Sequence, residues 1–209
     1  MNEDVSEDVN PRRGVGPWPG GPENWPSGDQ WDPELLAEGD ARNVIDRYRY
    51  WTVDAIRADL DTARHPFHVA IENFHHDSNI GSVVRSANAF GAKAVHVVGR
   101  KRWNRRGAMV TDRYQHVHHH ESVEAFLEWA RGAGLAVVGI DITEASIPIE
   151  GFAFPAHSVL VFGQESAGLS PEMMAGCDAI VHITQHGSTR SINVGAAAAV
   201  AMWAWHQRH

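Results

Sequence analysis

From residue 66 onward, short unbroken apolar runs alternate with stretches in which apolar residues recur every three or four positions. Unbroken apolar runs are typical of strands buried on both faces, and the wider spacing is typical of helices. Alternating strands and helices indicate an α/β fold with a mainly parallel sheet and helices on both faces. The pattern predicts strands at 67–71, 94–98, 135–140, 158–162 and 179–183, and helices at 79–90, 122–133 and 193–205.

The first 65 residues have a different composition. Residues 1–33 are rich in proline, glycine, aspartate and tryptophan, which disfavours regular structure. Two interpretations stay open: an extended arm whose tryptophans pack on a surface, or a disordered tail. In 40–64, apolar residues at helical intervals predict one or two amphipathic helices, which end at His65-Pro66. We therefore divide the chain into an N-terminal extension, 1–65, and a domain, 66–209.

Composition excludes several classes of protein. The single cysteine, Cys177, rules out a disulfide framework and a cysteine-based metal site. The acidic N-terminus lacks the apolar segment of a secretory signal. The apolar run at 194–205 is shorter than the roughly 18 residues that a membrane span needs. We therefore expect a cytoplasmic protein with no membrane association.

The formal net charge of −8 argues against a general nucleic-acid coat protein. The acidic excess lies mainly before residue 65, however, and a basic loop with a tryptophan inside it follows the second predicted strand. Arginine binds phosphates and stacks on bases, as tryptophan also does, so this loop is a candidate RNA contact. A solvated charged loop is the alternative. The candidate RNA-binding residues are Arg100, Lys101, Arg102, Trp103, Arg105 and Arg106.

Three segments that begin at a strand and open into a helix carry the candidate chemistry. They are Ser78–Arg85, Val161–Ser170 and Gly187–Met202. Turns of this kind present backbone N–H groups to a ligand. Three of them in one small domain predict a bound cofactor.

Taken together, these segments resemble the SpoU/TrmH family of SPOUT RNA methyltransferases over about residues 66–205. The chain departs from the family at Thr184-Gln185, where Pro-Met is usual, and at Gly195, where serine is common. Both departures concern the wall of the cofactor pocket. The matching residues are Asn79 and Arg85 in the first motif, Gly163, Glu165, Gly168, Leu169 and Ser170 in the second, and Ile183, Ser191, Ile192 and Asn193 in the third.

The resemblance implies a C-terminal trefoil knot and transfer of a methyl group from S-adenosylmethionine to a ribose 2′-hydroxyl of tRNA or rRNA. It also implies a homodimer, for which the tryptophan-rich arm or Met202, Trp203 and Trp205 of the last helix would supply apolar contacts. The implied cofactor-binding residues are Thr143, Gly163, Ile183, Ser191 and Ile192. The implied catalytic residues are Asn79, Arg85, Glu165, Ser191 and Asn193.

Four of the five catalytic candidates also have a purely structural interpretation. Arg85 suits a surface ion pair, and Glu165 suits a helix cap or a backbone N–H contact. Asn79, or Ser78 beside it, suits the N-cap of the helix at 79–90, and Asn193 suits the N-cap of the last helix. As a catalyst, arginine is a poor base because its pKa exceeds about 12. We therefore expect Arg85 to stabilise the developing alkoxide, with the proton passing to phosphate or water.

Other functions are weaker interpretations. A non-catalytic RNA-binding relative is the alternative that Thr184-Gln185 favours, and the absence of Gly-x-Gly-x-x-Gly and Walker motifs argues against a Rossmann-type or P-loop nucleotide enzyme. His116, His118, His119 and His120 suggest a metal, but Glu121 is the only carboxylate beside them, so no metal is predicted. Since only about 65 residues precede the catalytic part, tRNA is favoured slightly over rRNA.

Overall fold

The computed structural model describes residues 14–74, 79–165, 167–189 and 191–209. The candidate helix cap Ser78 and the motif-three neighbour Arg190 lie outside these residues. The chain forms two compact units that divide between Leu60 and Asp61. The start of a catalytic domain at residue 66 stays a prediction.

The first unit contains the short helix α1 (Pro33–Glu38), all but the last residue of α2 (Val53–Asp61), and two 3-10 turns. The Asp32 carboxylate caps α1 by accepting the N–H groups of Glu34 and Leu35. Residues 14–32 contain a single 3-10 turn, Pro22–Asn24, and their packing shows that this part is not a disordered tail, whereas residues 1–13 of the same prediction lie outside the described residues. The predicted tryptophan packing takes place within the unit, where Trp18 lies edge-on to Trp31 and to Tyr50, at centroid distances of 5.7 and 5.3 Å.

A buried carboxylate explains why much of 40–64 is not helical. Asp40 is fully buried and accepts hydrogen bonds from the Arg42 side chain at 2.8 and 2.9 Å and from the Tyr50 N–H at 2.9 Å. Burial alone would raise the pKa of Asp40, but these hydrogen bonds outweigh it and lower that pKa to about 2. Residues 40–50 fold around this carboxylate and leave Ile45 64% exposed, while α2 provides one of the one or two helices predicted for 40–64.

The second unit is a seven-stranded sheet in which every neighbouring pair of strands is parallel. The strand order is β3-β2-β1-β6-β4-β7-β5. The predicted α/β class is confirmed, and the trefoil knot stays a prediction. The strands and helices predicted from the sequence did not include β3, β5 and α5. The strands are β1 (His68–Asn73), β2 (Val95–Gly99), β3 (Val117–His120), β4 (Ala136–Ile140), β5 (Ile147–Pro148), β6 (Ser158–Phe162) and β7 (Ala179–His182), and the helices are α3 (Ile80–Ala89), α4 (Val123–Gly132), α5 (Pro171–Gly176) and α6 (Val194–His206).

Helices cover both faces of this sheet, as predicted. On one face, the buried side chains of α3 and α6, among them Val83 and Trp205, pack on Ile71 and Phe162. On the other face, Phe126 of α4 belongs to a second buried cluster. Strands covered on both sides need apolar residues at every position, which is why they appear as unbroken runs in the sequence.

Four histidines pack under α4 at one end of the sheet. His96 is fully buried, and its ring nitrogens lie 3.0 Å from Nδ1 of His68 and 2.9 Å from Nε2 of His120. The His96 ring also stacks on His118 at 5.1 Å and lies 3.9 Å from the ring of Trp129. Within the histidine tract at 116–120, His118 is exposed and the other three histidines are partly buried.

We expect this cluster to make the free energy of unfolding fall as the pH drops below about 6.5, the ordinary pKa of histidine. Burial, followed by neighbouring charges, lowers the pKa of His68 to about 4 and that of His96 further, and it also lowers those of His118 and His120. At low pH the unfolded chain therefore binds more protons than the folded chain, which lowers the free energy of unfolding. Denaturant titrations at pH 7 and pH 5 measure this decrease.

The His96→Gln variant should lose less stability than the wild type between these two pH values, because glutamine hydrogen-bonds but does not titrate. His186→Gln, at an exposed position, is the matched control and should retain the wild-type pH dependence. An equal pH dependence in His96→Gln would contradict the assignment of the acid sensitivity to this cluster.

Candidate active site

A cleft of about 600 Å³ opens at the carboxyl ends of β4, β6 and β7, where ligands bind in open parallel sheets. The loops after these strands and the first residues of α6 form its walls. The lining residues are Ile140, Asp141, Ile142, Phe162, Gly163, Gln164, Glu165, Ala167, Gly168, His182, Ile183, Gln185, Ser191, Ile192, Val194 and Ala197.

Four of the five predicted cofactor residues line the cleft: Gly163, Ile183, Ser191 and Ile192. Thr143 is not among the lining residues, although the preceding Ile142 is. Residues 143–146 close a turn of their own, in which the Thr143 N–H donates to the Ser146 hydroxyl at 3.0 Å and the Thr143 carbonyl accepts from it at 2.7 Å.

Sequence reasoning missed three polar lining residues, namely Asp141, Gln164 and His182, whereas Gln185 lies in the cleft wall as the sequence indicated. Asp141 and Gln164 follow predicted strands within two residues. Their position at the strand ends was the signal that would have found them.

The loop after β6 folds back on itself very tightly. Gln164 and Gly168 exchange two backbone hydrogen bonds, of 2.9 and 2.8 Å. A Cβ atom on Gly163 would lie 2.0 Å from the carbonyl carbon of Gly168, and Gly168 itself has φ of +68°. Glycine at both positions is therefore a steric requirement of this turn, in which Glu165 directly follows Gln164.

Three predicted catalytic residues from three separate segments meet at this turn. The Asn79 amide donates to Glu165 Oε2 at 2.7 Å. The Asn193 amide donates to Asn79 Oδ1 at 3.0 Å and to Glu165 Oε1 at 3.4 Å. Each side chain contacts the other two, so the three loops are joined to one another at the mouth of the cleft.

The structural alternatives for the two asparagines have different outcomes. Asn193 is indeed the N-cap of α6, because its Oδ1 accepts the N–H groups of Gly195 and Ala196 while its amide donates elsewhere. Asn79 occupies the N-cap position of α3 without a side-chain capping bond. Its side chain instead forms hydrogen bonds with Glu165 and Asn193.

Glu165 is not the helix cap that its sequence neighbourhood allowed. Ser170 caps α5 by accepting the Met173 N–H at 3.1 Å. The Ser170 N–H and hydroxyl in turn donate to Glu72 at 2.7 and 2.6 Å, and Glu72 is completely buried at the end of β1. Burial raises the pKa of Glu72. Glu72 thus anchors the end of the motif-two segment, a role that no sequence motif indicated.

Arg85 lies on the exposed face of α3 and does not line the cleft of its own chain. Six residues separate it from Asn79, which corresponds to about 9 Å of helix rise. Within the described residues, no side chain forms the surface ion pair that was its structural alternative.

The basic loop packs beside the beginning of α3. The backbone of Gly81 lies against that of Gly107 and Ala108, and the Asn73 amide donates to the carbonyl oxygens of Arg100 and Arg102 at 2.6 and 3.1 Å. All five cationic candidates of the loop are exposed. Trp103 differs, because it is partly buried against the core, with the Arg105 guanidinium 5.6 Å from its ring centroid.

The charge of the cleft favours a cationic ligand. Among its described lining residues are two carboxylates, Asp141 and Glu165, and neither lysine nor arginine. Apolar side chains such as Ile142, Phe162 and Ile183 would cover a flat ring.

Within the described parts of the chain, no group of three or more histidine, cysteine or acidic side chains is arranged to hold a metal ion. In the same parts, no helix has the length and apolar character to cross a bilayer.

The comparisons with known proteins agree on one protein family. A model described as the SpoU rRNA Methylase family matches residues 66–203. The chain is 31% identical over 163 residues to an uncharacterized tRNA/rRNA methyltransferase of Mycolicibacterium vanbaalenii, covering 74% of this chain and 51% of that protein. It is 23% identical over 138 residues to the tRNA (guanosine(18)-2′-O)-methyltransferase of Escherichia coli, covering 65% and 60%. The chain thus spans between half and three fifths of these relatives.

Solved structures agree with this fold. The SpoU methyltransferase AviRb from Streptomyces viridochromogenes, in complex with AdoMet, superimposes with a TM-score of 0.60 at 30% identity, covering 69% of this chain and 59% of that one. The TrmH/SpoU tRNA modifying enzyme of A. aeolicus superimposes with a TM-score of 0.66 at 20% identity, covering 75% and 81%. The second likeness concerns the fold alone.

Proposed function

Because the chain belongs to the SpoU rRNA methylase family, we propose that residues 66–209 transfer a methyl group from S-adenosylmethionine to a ribose 2′-hydroxyl of RNA. The observation that carries this proposal is the hydrogen-bonded set of Asn79, Glu165 and Asn193 at the mouth of the cleft. These residues belong to the three motifs that resemble the family, and they meet beside a cavity of suitable size for a nucleoside-like ligand.

The cleft fits S-adenosylmethionine in charge and shape. When bound, this cofactor supplies an electrophilic methyl group on a sulfonium cation. The carboxylates of Asp141 and Glu165 suit its net positive charge, and the backbone at Gly163, Ile183 and Ile192 is available to the adenine and ribose. Gln185, which stands where the family usually has methionine, contributes a polar side chain to this wall.

Arg85 is assigned to stabilising the 2′-oxygen of the ribose. Its guanidinium stabilises negative charge that develops on the 2′-oxygen, and the proton passes to phosphate or water, since arginine does not accept it. Asn79, Glu165 and Asn193 hold the three loops together through their hydrogen bonds. Ser191, which is exposed near Asn193, faces the cofactor or the substrate sugar.

We further propose a cytoplasmic homodimer, in which a second copy brings its Arg85 to the cleft. The exposed face of α6 offers an apolar stripe for such contact, formed by Ala196, Val200 and Trp203. The other side chains of α6 named for this role from sequence, Met202 and Trp205, are buried within their own chain, because they lie on the opposite side of α6, which packs on the sheet.

Incubation with labelled S-adenosylmethionine and separated tRNA and rRNA fractions, followed by nucleoside analysis, tests the function. Label on a 2′-O-methyl nucleoside is the expected result, with tRNA as the favoured substrate in keeping with the name of the E. coli relative. Cofactor binding without label in either fraction would instead support the non-catalytic RNA-binding alternative.

Charge reversal in the basic loop should weaken RNA binding and reduce its salt dependence. Each lost phosphate contact lowers the slope of log K against log salt by about one. Arg102→Glu and Arg106→Glu are the informative variants because both side chains are exposed. Fluorescence anisotropy with tRNA at several salt concentrations measures the slope, and Arg131→Glu, on the exposed surface of α4, is the control. A slope equal to that of the wild type would exclude the loop as a docking site.

A further inference from the structure

Asp141 joins two walls of the cleft through one carboxylate. It directly follows β4, and its own N–H donates to the Val181 carbonyl of β7 at 3.0 Å. Its Oδ1 accepts the Ile142 N–H at 2.7 Å, and its Oδ2 accepts the Leu169 N–H at 2.7 Å. One side chain therefore connects the loop after β4 with the turn after β6, 28 residues further along the chain.

The turn after β6 is shaped around this carboxylate. A Cβ atom on Gly168 would lie 2.5 Å from Asp141 Oδ2, so the side chain fills the space that Gly168 leaves open. The next N–H along the chain, that of Ser170, is bound by Glu72. Two consecutive backbone N–H groups are thus bound by carboxylates from two different strands, β4 and β1.

We propose that Asp141 is a positioning residue for the cofactor: it holds the turn of Gly163–Gly168 at a fixed spacing from the end of β4, so that the cleft is preformed. The assignment rests on the proposed function, since it takes this cleft as the cofactor site. The hydrogen bonds are charge-assisted and short, which makes them about twice as strong as neutral ones. A ligand binds more tightly to a cleft that already has the bound shape, because less free energy is lost in ordering the cleft.

Asparagine at this position does not reproduce the arrangement. Its side chain has one acceptor oxygen, and its NH₂ group would face one of the two N–H donors. The Asp141→Asn variant therefore loses one of the two connections and places two donors opposite each other. Leu169 stays buried and Ser170 still caps α5, so the loss is confined to the cleft wall.

Asp178 provides a matched control. Its carboxylate accepts the Val137 N–H at 2.7 Å, a bond of the same kind and length at the opposite end of β4. Asp178 does not line the cleft. The Asp178→Asn variant therefore removes a comparable backbone contact from the same strand without touching the cleft wall.

Both variants are compared with the wild type as full chains. Calorimetry gives the dissociation constants of S-adenosylmethionine and of its demethylated product, thermal unfolding gives Tm, and amide hydrogen exchange of 163–170 is followed without ligand. We expect Asp141→Asn to weaken both ligands by about tenfold and to speed exchange in 163–170 by a similar factor. We expect Asp178→Asn to change ligand affinity by less than about twofold, with a decrease in Tm comparable to that of Asp141→Asn.

Equal affinities of Asp141→Asn and the wild type would overturn the proposal, as would equal weakening in both variants. If the wild type binds neither ligand, the proposed function fails. The exchange comparison then decides separately whether Asp141 holds the turn, and unchanged exchange in Asp141→Asn would overturn that role as well.

Discussion

Replacing Arg85 with alanine is expected to lower the rate of methyl transfer by about two to three orders of magnitude, while RNA affinity stays within about threefold of the wild type. The reason is that its charge is needed when the ribose oxygen becomes negative and contributes less to the ground-state complex. Single-turnover methylation and RNA binding, measured on the same preparation, separate the two effects. A near-normal turnover would contradict the assignment.

Arg131→Ala, which removes an exposed arginine from α4, is the matched control and should be active.

Mixing Arg85→Ala chains with Asn193→Ala chains tests whether Arg85 acts on its own cleft or on that of a second copy. If a second copy supplies the arginine, mixed dimers contain one intact site, and the mixture should regain up to about a quarter of the wild-type activity. If each chain uses its own Arg85, the mixture stays inactive.

The Gly163→Ala variant should lose cofactor binding and a large part of its stability. The added Cβ atom would lie 2.0 to 2.2 Å from three backbone atoms of Gly168 and Leu169, which have no flexible side chain to move aside. Overpacking of this kind costs about 3 kcal/mol, and relieving it requires the turn that carries Glu165 to open. Denaturant unfolding and calorimetry with S-adenosylmethionine measure the two losses.

The matched control for this substitution is Gly132→Ala at the end of α4, where an added Cβ atom meets nothing within 4 Å. There alanine should be neutral or should stabilise by up to about 1 kcal/mol, because it restricts the unfolded chain. A Gly163→Ala protein with the stability and cofactor affinity of the wild type would show that the turn adopts another conformation.

The N-terminal unit shows where pattern reasoning fails. Apolar spacing in 40–64 predicted one or two helices, and one forms, α2, whereas in 40–50 the fully buried carboxylate of Asp40 binds Arg42 and the Tyr50 backbone, and the chain folds around this charge. Hydrophobic periodicity contains no information about a single buried ion. In 14–33, one of the two interpretations had the tryptophans packing on a surface without saying which, and Trp18 packs on Trp31 and Tyr50 of the same unit.

The sequence by itself determined the α/β class, the main strands and the motif positions, because strands covered on both faces require unbroken apolar runs and the turns that follow them require particular residues. Only the tertiary structure decided which side chains meet. Asn79 lies 86 residues from Glu165 and 114 from Asn193, and they touch because parallel pairing brings the ends of β1, β6, β4 and β7 to one edge of the sheet. The contacts of Asp141, Glu72 and the histidine cluster likewise depend on strand order, which local spacing does not encode.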